Sequence, residues 1–339
     1  VSASSNRIVA PTSDAIARAA RALRAGDLVA FPTETVYGLG ADAGNPEAVR
    51  QVFAVKHRPA SHPVIVHLPE PAAIDRWASD VPAGARALAN AFWPGPLTLI
   101  VPRAPGVSDV VTGGQDSVGL RVPSHPVAQD LLRAFVREGG EGIVAPSANR
   151  FGHVSPTTAE HVAADLGEDV ALILDGGASA IGIESTIVAF VQQRAVLLRP
   201  GGIGLDALAS VLGEPPRTAD AGAPRASGTL AAHYATRTRA FLVPTDMMRA
   251  EIAQRDERDE RVAVLARTLD APPGFDGPWL RAPGGADRYA HDLYANLRTL
   301  DAALVDAILI EAVPDDGQWM AVRDRLVRAT HPEVEDDRD

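Results

Sequence analysis

Short apolar runs that each end in polar residues alternate with helical periodicity over the first two thirds of this chain. No other feature narrows its fold as much. Leu28–Phe31, Val64–Leu68, Leu97–Val101, Ser117–Val122, Ile143–Ala145 and Val170–Asp175 read as strands. Between them lie segments with helix signals. Over residues 12–26, Ser13 or Asp14 can cap a helix whose stripe is Ile16, Ala19, Ala20 and Leu23, with Gly26 as its stop. Asn45-Pro46 supplies a cap and a first-turn proline for a second helix, with Val49, Val52 and Phe53 on its buried face. A third runs over Val127–Arg137 and ends at Gly139-Gly140. Strands separated by amphipathic helices define an α/β domain.

At 339 residues the chain suits two domains rather than one core. The boundary falls where residues Gly213–Arg225 turn rich in Pro, Ala and Gly and lose apolar periodicity. Beyond it, Ala240–Val243, Arg261–Ala266 and Ala307–Glu311 read as strands, with helices over Ala286–Leu304 and Gln318–Ala329. The charge-dense stretch Arg249–Arg261 reads as a solvated helix face or a loop. The expected organisation is a first domain over 1–212, a linker over 213–238, a second α/β domain over 239–330 and an acidic tail over 331–339.

Composition removes several kinds of chemistry. The chain has no cysteine, which excludes disulfides, zinc thiolates and thiol catalysis. No run approaches the roughly 18 apolar residues of a membrane span, and Val-Ser-Ala-Ser-Ser-Asn-Arg holds no signal-peptide core, so a cytoplasmic enzyme is expected. A net charge of −11 and an aromatic content of 5% argue against extended, stable contact with nucleic acid.

The strand ends gather groups suited to anion binding. Thr33-Glu34-Thr35 follows one strand and Pro146-Ser147-Ala148-Asn149 another; open α/β sheets bind ligands at such ends. Surface hydroxyls in an ordinary turn are the alternative for the first of these. Lys56 is the only lysine; it lies two residues from Arg58, with His57, His62 and His67 in the same stretch. A lysine is a compact point charge that arginine does not replace. In the last helical turn it could instead cap the helix dipole. Arg121, in an apolar strand, must meet an anion, either a structural carboxylate or a ligand. His67 alternates with Val66 and Leu68 and faces a site or solvent. Ser155 precedes Pro156 and could be a helix cap; Pro200-Gly201-Gly202-Ile203-Gly204 could cradle phosphate.

No Gly-x-Ser-x-Gly elbow, His-Glu-x-x-His helix, Walker loop or Gly-x-Gly-x-x-Gly turn is present in the first domain. The inventory suits a reaction at phosphorus that relies on positioning and charge neutralisation. A module that holds an RNA backbone in a basic concave cavity is the alternative.

Phe31-Pro32-Thr33-Glu34-Thr35-Val36-Tyr37-Gly38-Leu39-Gly40 resembles the opening motif of the YrdC-like family, the threonylcarbamoyl-AMP synthases. The resemblance continues in order through Lys56-His57-Arg58-Pro59, Pro63–His67, Trp93–Thr98, Val118–Pro123, Ala145–Asn149, Glu184–Ile187 and Leu198–Gly201, spanning residues 8–205. His233-Tyr234 and the second domain resemble the longer, two-domain form. The resemblance implies a twisted, open mixed sheet with helices, followed by a smaller Rossmann-like α/β domain. It implies a nucleotidyltransferase that joins L-threonine, bicarbonate or CO2 and ATP, with Mg2+ accompanying the ATP and its protein ligands unassigned. A separate transferase would then carry the threonylcarbamoyl group to tRNA. Lys56 and Arg58 would neutralise the triphosphate as catalytic groups. His62, Ser117, Ser147, Asn149, Ser155, Arg199, His233 and Tyr234 would complete the ATP site. Arg121 would take the threonine carboxylate, with Thr35, His67, Ala145 and Ser185 on its other polar atoms. The chain departs from the pattern at His62, where the family has Asn, and over Ala226–Thr236, which lacks the family's prolines and basic residues.

Overall fold

The computed structural model describes residues 7–220 and 222–331; the acidic tail from residue 332 onward lies outside the described residues. Two compact units emerge, one of residues 7–151 and 155–229, the other of 152–154 and 230–331. The strands are β1 (Ile8–Val9), β2 (Val29–Phe31), β3 (Gly38–Asp42), β4 (Ile65–His67), β5 (Leu97–Pro102), β6 (Ser117–Arg121), β7 (Ile143–Val144), β8 (Leu172–Leu174), β9 (Thr186–Val191), β10 (Arg194–Arg199), β11 (Arg217–Thr218), β12 (Ala240–Val243), β13 (Val262–Ala266), β14 (Trp279–Arg281) and β15 (Ala307–Glu311).

Among the described residues, the first unit holds one mixed sheet of eleven strands in the order β1-β8-β2-β3-β7-β4-β6-β5-β9-β10-β11. Its two faces carry separate apolar cores, and the period-two pleat assigns residues to them. Val29 and Phe31 of β2 pack with the helices Ser13–Ala25 and Pro126–Arg137, whereas Ala30 between them joins the core that holds Val49, Val52, Phe53 and Leu88. Full burial of a side chain such as Phe31 contributes about 1.5–3 kcal/mol.

Local signals set the helix ends. Thr12, one residue before the expected cap, accepts from the Ala15 N–H at 3.2 Å, and Gly26 closes that helix at φ 99°. A left-handed residue there is what a Schellman-type stop needs. Asn45 caps the helix Pro46–Lys56 as its sequence suggests, accepting from Glu47 and Ala48. Ser155 caps no helix. The next one begins at Ala159, with Thr158 accepting from His161.

The second unit has a four-stranded sheet, β12-β15-β13-β14, parallel throughout. Parallel strands buried on both faces explain the unbroken apolar runs Val262–Ala266 and Ala307–Ile310. Glu311 ends β15 fully buried and accepts from the N–H groups of Arg267 and Thr268 and from the Thr245 hydroxyl. Sequence reading passes over β14, because three residues between Pro278 and Pro283 carry no periodicity. It leaves open the helix Met248–Asp256, whose buried face is only Met248, Ile252 and Arg255. No helix among the described residues is long and apolar enough to cross a membrane.

Candidate active site

The turn after β2 is built from its own hydroxyls. The Thr33 N–H and hydroxyl both donate to the Val36 carbonyl, at 3.3 and 2.6 Å, and Thr33 Oγ1 lies 2.8 Å from Thr35 Oγ1. Thr33 and Thr35 are 2% and 0% exposed, so the surface-turn alternative is wrong for them. The turn presents Glu34 and Thr35 to the end of β6. There Arg121 Nη2 donates to Glu34 Oε1 at 2.6 Å, Nη1 to Thr35 Oγ1 at 2.9 Å and Nε to the Gly95 carbonyl at 3.3 Å. The anion that Arg121 requires is thus supplied by the protein as the structural carboxylate Glu34. Three of the five guanidinium N–H groups are engaged among the described residues, which leaves one on each of Nη1 and Nη2.

His67 is the register partner of Arg121 in the parallel pair β4–β6. It faces the protein interior, not solvent, at 3% exposure. Burial, then the Arg121 charge, pushes its pKa down to about 3. The ring is therefore neutral at physiological pH, and its buried Nδ1 has no hydrogen-bond partner among the described residues. Ala145 donates its N–H to the Ile65 carbonyl at 3.2 Å and packs on Gly38, where a Cβ would come within 2.9 Å of its own.

The cations are interior groups. Lys56, Arg58, Arg121 and Arg199 are 1%, 6%, 4% and 3% exposed. Lys56 Nζ donates to the carbonyls of Ser147 at 2.6 Å and Asn149 at 2.5 Å, so it holds the loop after β7 rather than capping its own helix. Burial and then Arg58 depress its pKa well below the usual lysine value. Arg58 Nη2 donates to the Pro63 carbonyl at 2.9 Å and reaches the Ser227 hydroxyl at 3.5 Å, and the guanidinium lies 5.4 Å from the Phe151 ring centroid. His62 is half-buried, edge-on to the same ring at 5.4 Å, and burial followed by Arg58 and Arg225 lowers its pKa.

A second cluster forms at the β9–β10 end. Arg199 donates from Nε and Nη2 to the Ser185 carbonyl at 3.1 and 3.0 Å, and from Nη1 to the Ser227 carbonyl at 2.8 Å. Ser185 Oγ pairs with Thr98 Oγ1 at 2.8 Å, and the Ser155 hydroxyl donates to Glu184 at 2.6 Å. Gly201 serves this packing: a Cβ would lie 2.4–2.5 Å from the Glu184–Thr186 backbone. Close backbone approach therefore accounts for that glycine without a phosphate. Ser117 is half-buried and lines a small cavity of about 10 Å3, with Ile65, Gly119, Ile187, Arg225 and Ser227 among its walls. Ser227 joins both cationic groups and Glu34 holds Arg121. Neither is singled out by sequence, although the demand of Arg121 for an anion was a pointer to the second.

His233 and Tyr234 belong to the second unit. Tyr234 is 1% exposed at φ 64°, its ring 5.7 Å from Tyr294 in a stacked arrangement and 5.3 Å from the Arg325 guanidinium carbon. His233 lies against it at 4.2 Å. Among the described residues, no three His, Cys, Asp or Glu side chains converge as a metal site.

Buried point charges and hydroxyls at the strand ends of a mixed sheet define an α/β enzyme that handles small anions. Residues 21–201 match the family model for Sua5, YciO and YrdC, described as telomere recombination, and residues 203–330 match one described as the threonylcarbamoyl-AMP synthase C-terminal domain. The chain belongs to the Sua5/YciO/YrdC family. It is 39% identical to a threonylcarbamoyl-AMP synthase of Pyrococcus abyssi, covering 92% of this chain and 93% of that one. It is also 39% identical to one of Bacillus subtilis, covering 93% and 92%. The crystal structure of P. abyssi Sua5 complexed with L-threonine superposes with a TM-score of 0.86 at 37% identity, covering 94% of this chain and 95% of that one.

Proposed function

We infer that this chain is an L-threonylcarbamoyladenylate synthase, converting L-threonine, bicarbonate or CO2 and ATP to threonylcarbamoyl-AMP and pyrophosphate. The observation that carries the reading is the Arg121 guanidinium, buried yet with two N–H groups left for a carboxylate, in a chain that matches such synthases along nearly its whole length.

In this reading the threonine amine attacks the carbon of CO2, forms the N–C bond and loses a proton to give a carbamate. A carbamate oxygen then attacks the α-phosphorus, the bond to the α–β bridging oxygen breaks, and pyrophosphate leaves. Arg121 holds the threonine carboxylate, while Thr35, neutral His67, Ala145 and Ser185 bound the rest of the amino acid. Lys56 and Arg58 face the triphosphate. Two of the three ammonium donors of Lys56 already serve carbonyls, which fixes the direction of the third. His62, Ser117, Ser147, Asn149, Ser155 and Arg199 complete the nucleotide side. Mg2+ bound with ATP would add charge neutralisation at the phosphates.

The product is an activated acyl group, so a transferase acting on tRNA is the consumer we assign, and the cytoplasm is the compartment that supplies both. A basic concave RNA surface is not favoured, since the cations that would form it are buried. The test is pyrophosphate release from ATP, bicarbonate and Mg2+. It should depend on added threonine, and folded protein that releases none would overturn the assignment.

A further inference from the structure

Arg121 reaches threonine only if its guanidinium plane is held, and one side chain does most of the holding. Glu34 places Oε1 at 2.6 Å from Arg121 Nη2, while its Oε2 accepts from the Ser124 N–H at 3.0 Å. Its backbone carbonyl accepts from the Ile181 N–H at 2.8 Å, and the Thr33 hydroxyl locks the turn on which it stands. Glu34 is 7% exposed and is the only carboxylate ion-paired to Arg121 among the described residues.

We propose that Glu34 is a positioning residue for the amino-acid subsite: it orients Arg121 so that the N–H groups left on Nη1 and Nη2 meet the threonine carboxylate. The proposal rests on the reading that Arg121 receives that carboxylate. Glu34 cannot swing aside as a stand-in for substrate, because both of its oxygens and its main chain are tied. It also supplies the counter-charge that a bare buried guanidinium lacks, so the empty subsite is neutral. Threonine is then selected by the N–H groups that this pairing leaves on Nη1 and Nη2 rather than by a surplus of positive charge. Competition between Glu34 and substrate for the same guanidinium predicts the reverse: removing the carboxylate would tighten threonine binding.

The experiment is steady-state pyrophosphate release by the full chain, with threonine and ATP varied separately, for the wild type, Glu34→Gln and Glu34→Asp. Glu34→Gln should raise the threonine KM about tenfold or more while the ATP KM stays within about twofold, as expected when one member of a buried, hydrogen-bonded charge pair is removed. Glu34→Asp keeps the charge and should recover part of the loss. It also provides the reading if the glutamine variant shows no cooperative unfolding transition. An unchanged or lowered threonine KM, or equal rises for both substrates, would overturn the positioning role. An inactive wild type would instead overturn the synthase reading.

Discussion

Replacing Lys56 with methionine tests whether the lone lysine is an interior amine tuned by burial. Methionine keeps an unbranched stem of similar length but removes both donations, leaving the Ser147 and Asn149 carbonyls unpaired. Each buried carbonyl that loses its donor costs about 1–3 kcal/mol, so the loss is roughly 2–6 kcal/mol. Against it stands relief from burying a charge, and that part depends on pH. The folded pKa of Lys56 is lowered, through burial first and the neighbouring Arg58 second. Below that value the amine is charged in both folded and unfolded chains, and the penalty applies in full. Between it and the unfolded value near 10.4, only the unfolded chain holds the proton, so wild-type stability gains about 1.4 kcal/mol per pH unit. Above the unfolded value the penalty is gone. The stability deficit of Lys56→Met, read from urea unfolding at a series of pH values, should therefore widen as pH rises toward about 10.4. A deficit that stays constant with pH would refute a buried, proton-shedding lysine.

Two further outcomes follow from the site. His67, with a folded pKa of about 3, stays neutral while the unfolded imidazole titrates, so stability should fall as pH drops from about 6.5 toward 3. Changing His67 to Gln should flatten that acid limb, and an unchanged limb in urea melts would contradict a buried neutral ring. Gly201→Ala forces a Cβ against the Glu184–Thr186 backbone and should cost about 1–3 kcal/mol, seen as a lowered Tm. An unaltered Tm would mean the loop has room that the structure does not show.

Much of the architecture was legible because it is written in local chemistry. Asn45 and Gly26 mark helix ends by cap geometry, and Val29, Ala30 and Phe31 divide between two cores because a strand alternates its sides. The short pieces were not legible. Three residues of β14 hold no period long enough to read, and Ser155-Pro156 carries a helix-start signal that Thr158 fulfils instead.

What the sequence determined by itself was the set of ingredients: one lysine, an arginine stranded in an apolar run, and hydroxyls where strands stop. It required Arg121 to have an anion and His67 to face away from its neighbours. It could not choose the partner, because Glu34 and Arg121 are 87 residues apart and meet only when the turn after β2 folds against the end of β6. Nor could it tell that Lys56 serves two carbonyls of a distant loop, or that Ser227 bridges Arg58 and Arg199. Those decisions belong to the tertiary structure, since desolvation and hydrogen-bond distance arise only when remote segments pack together.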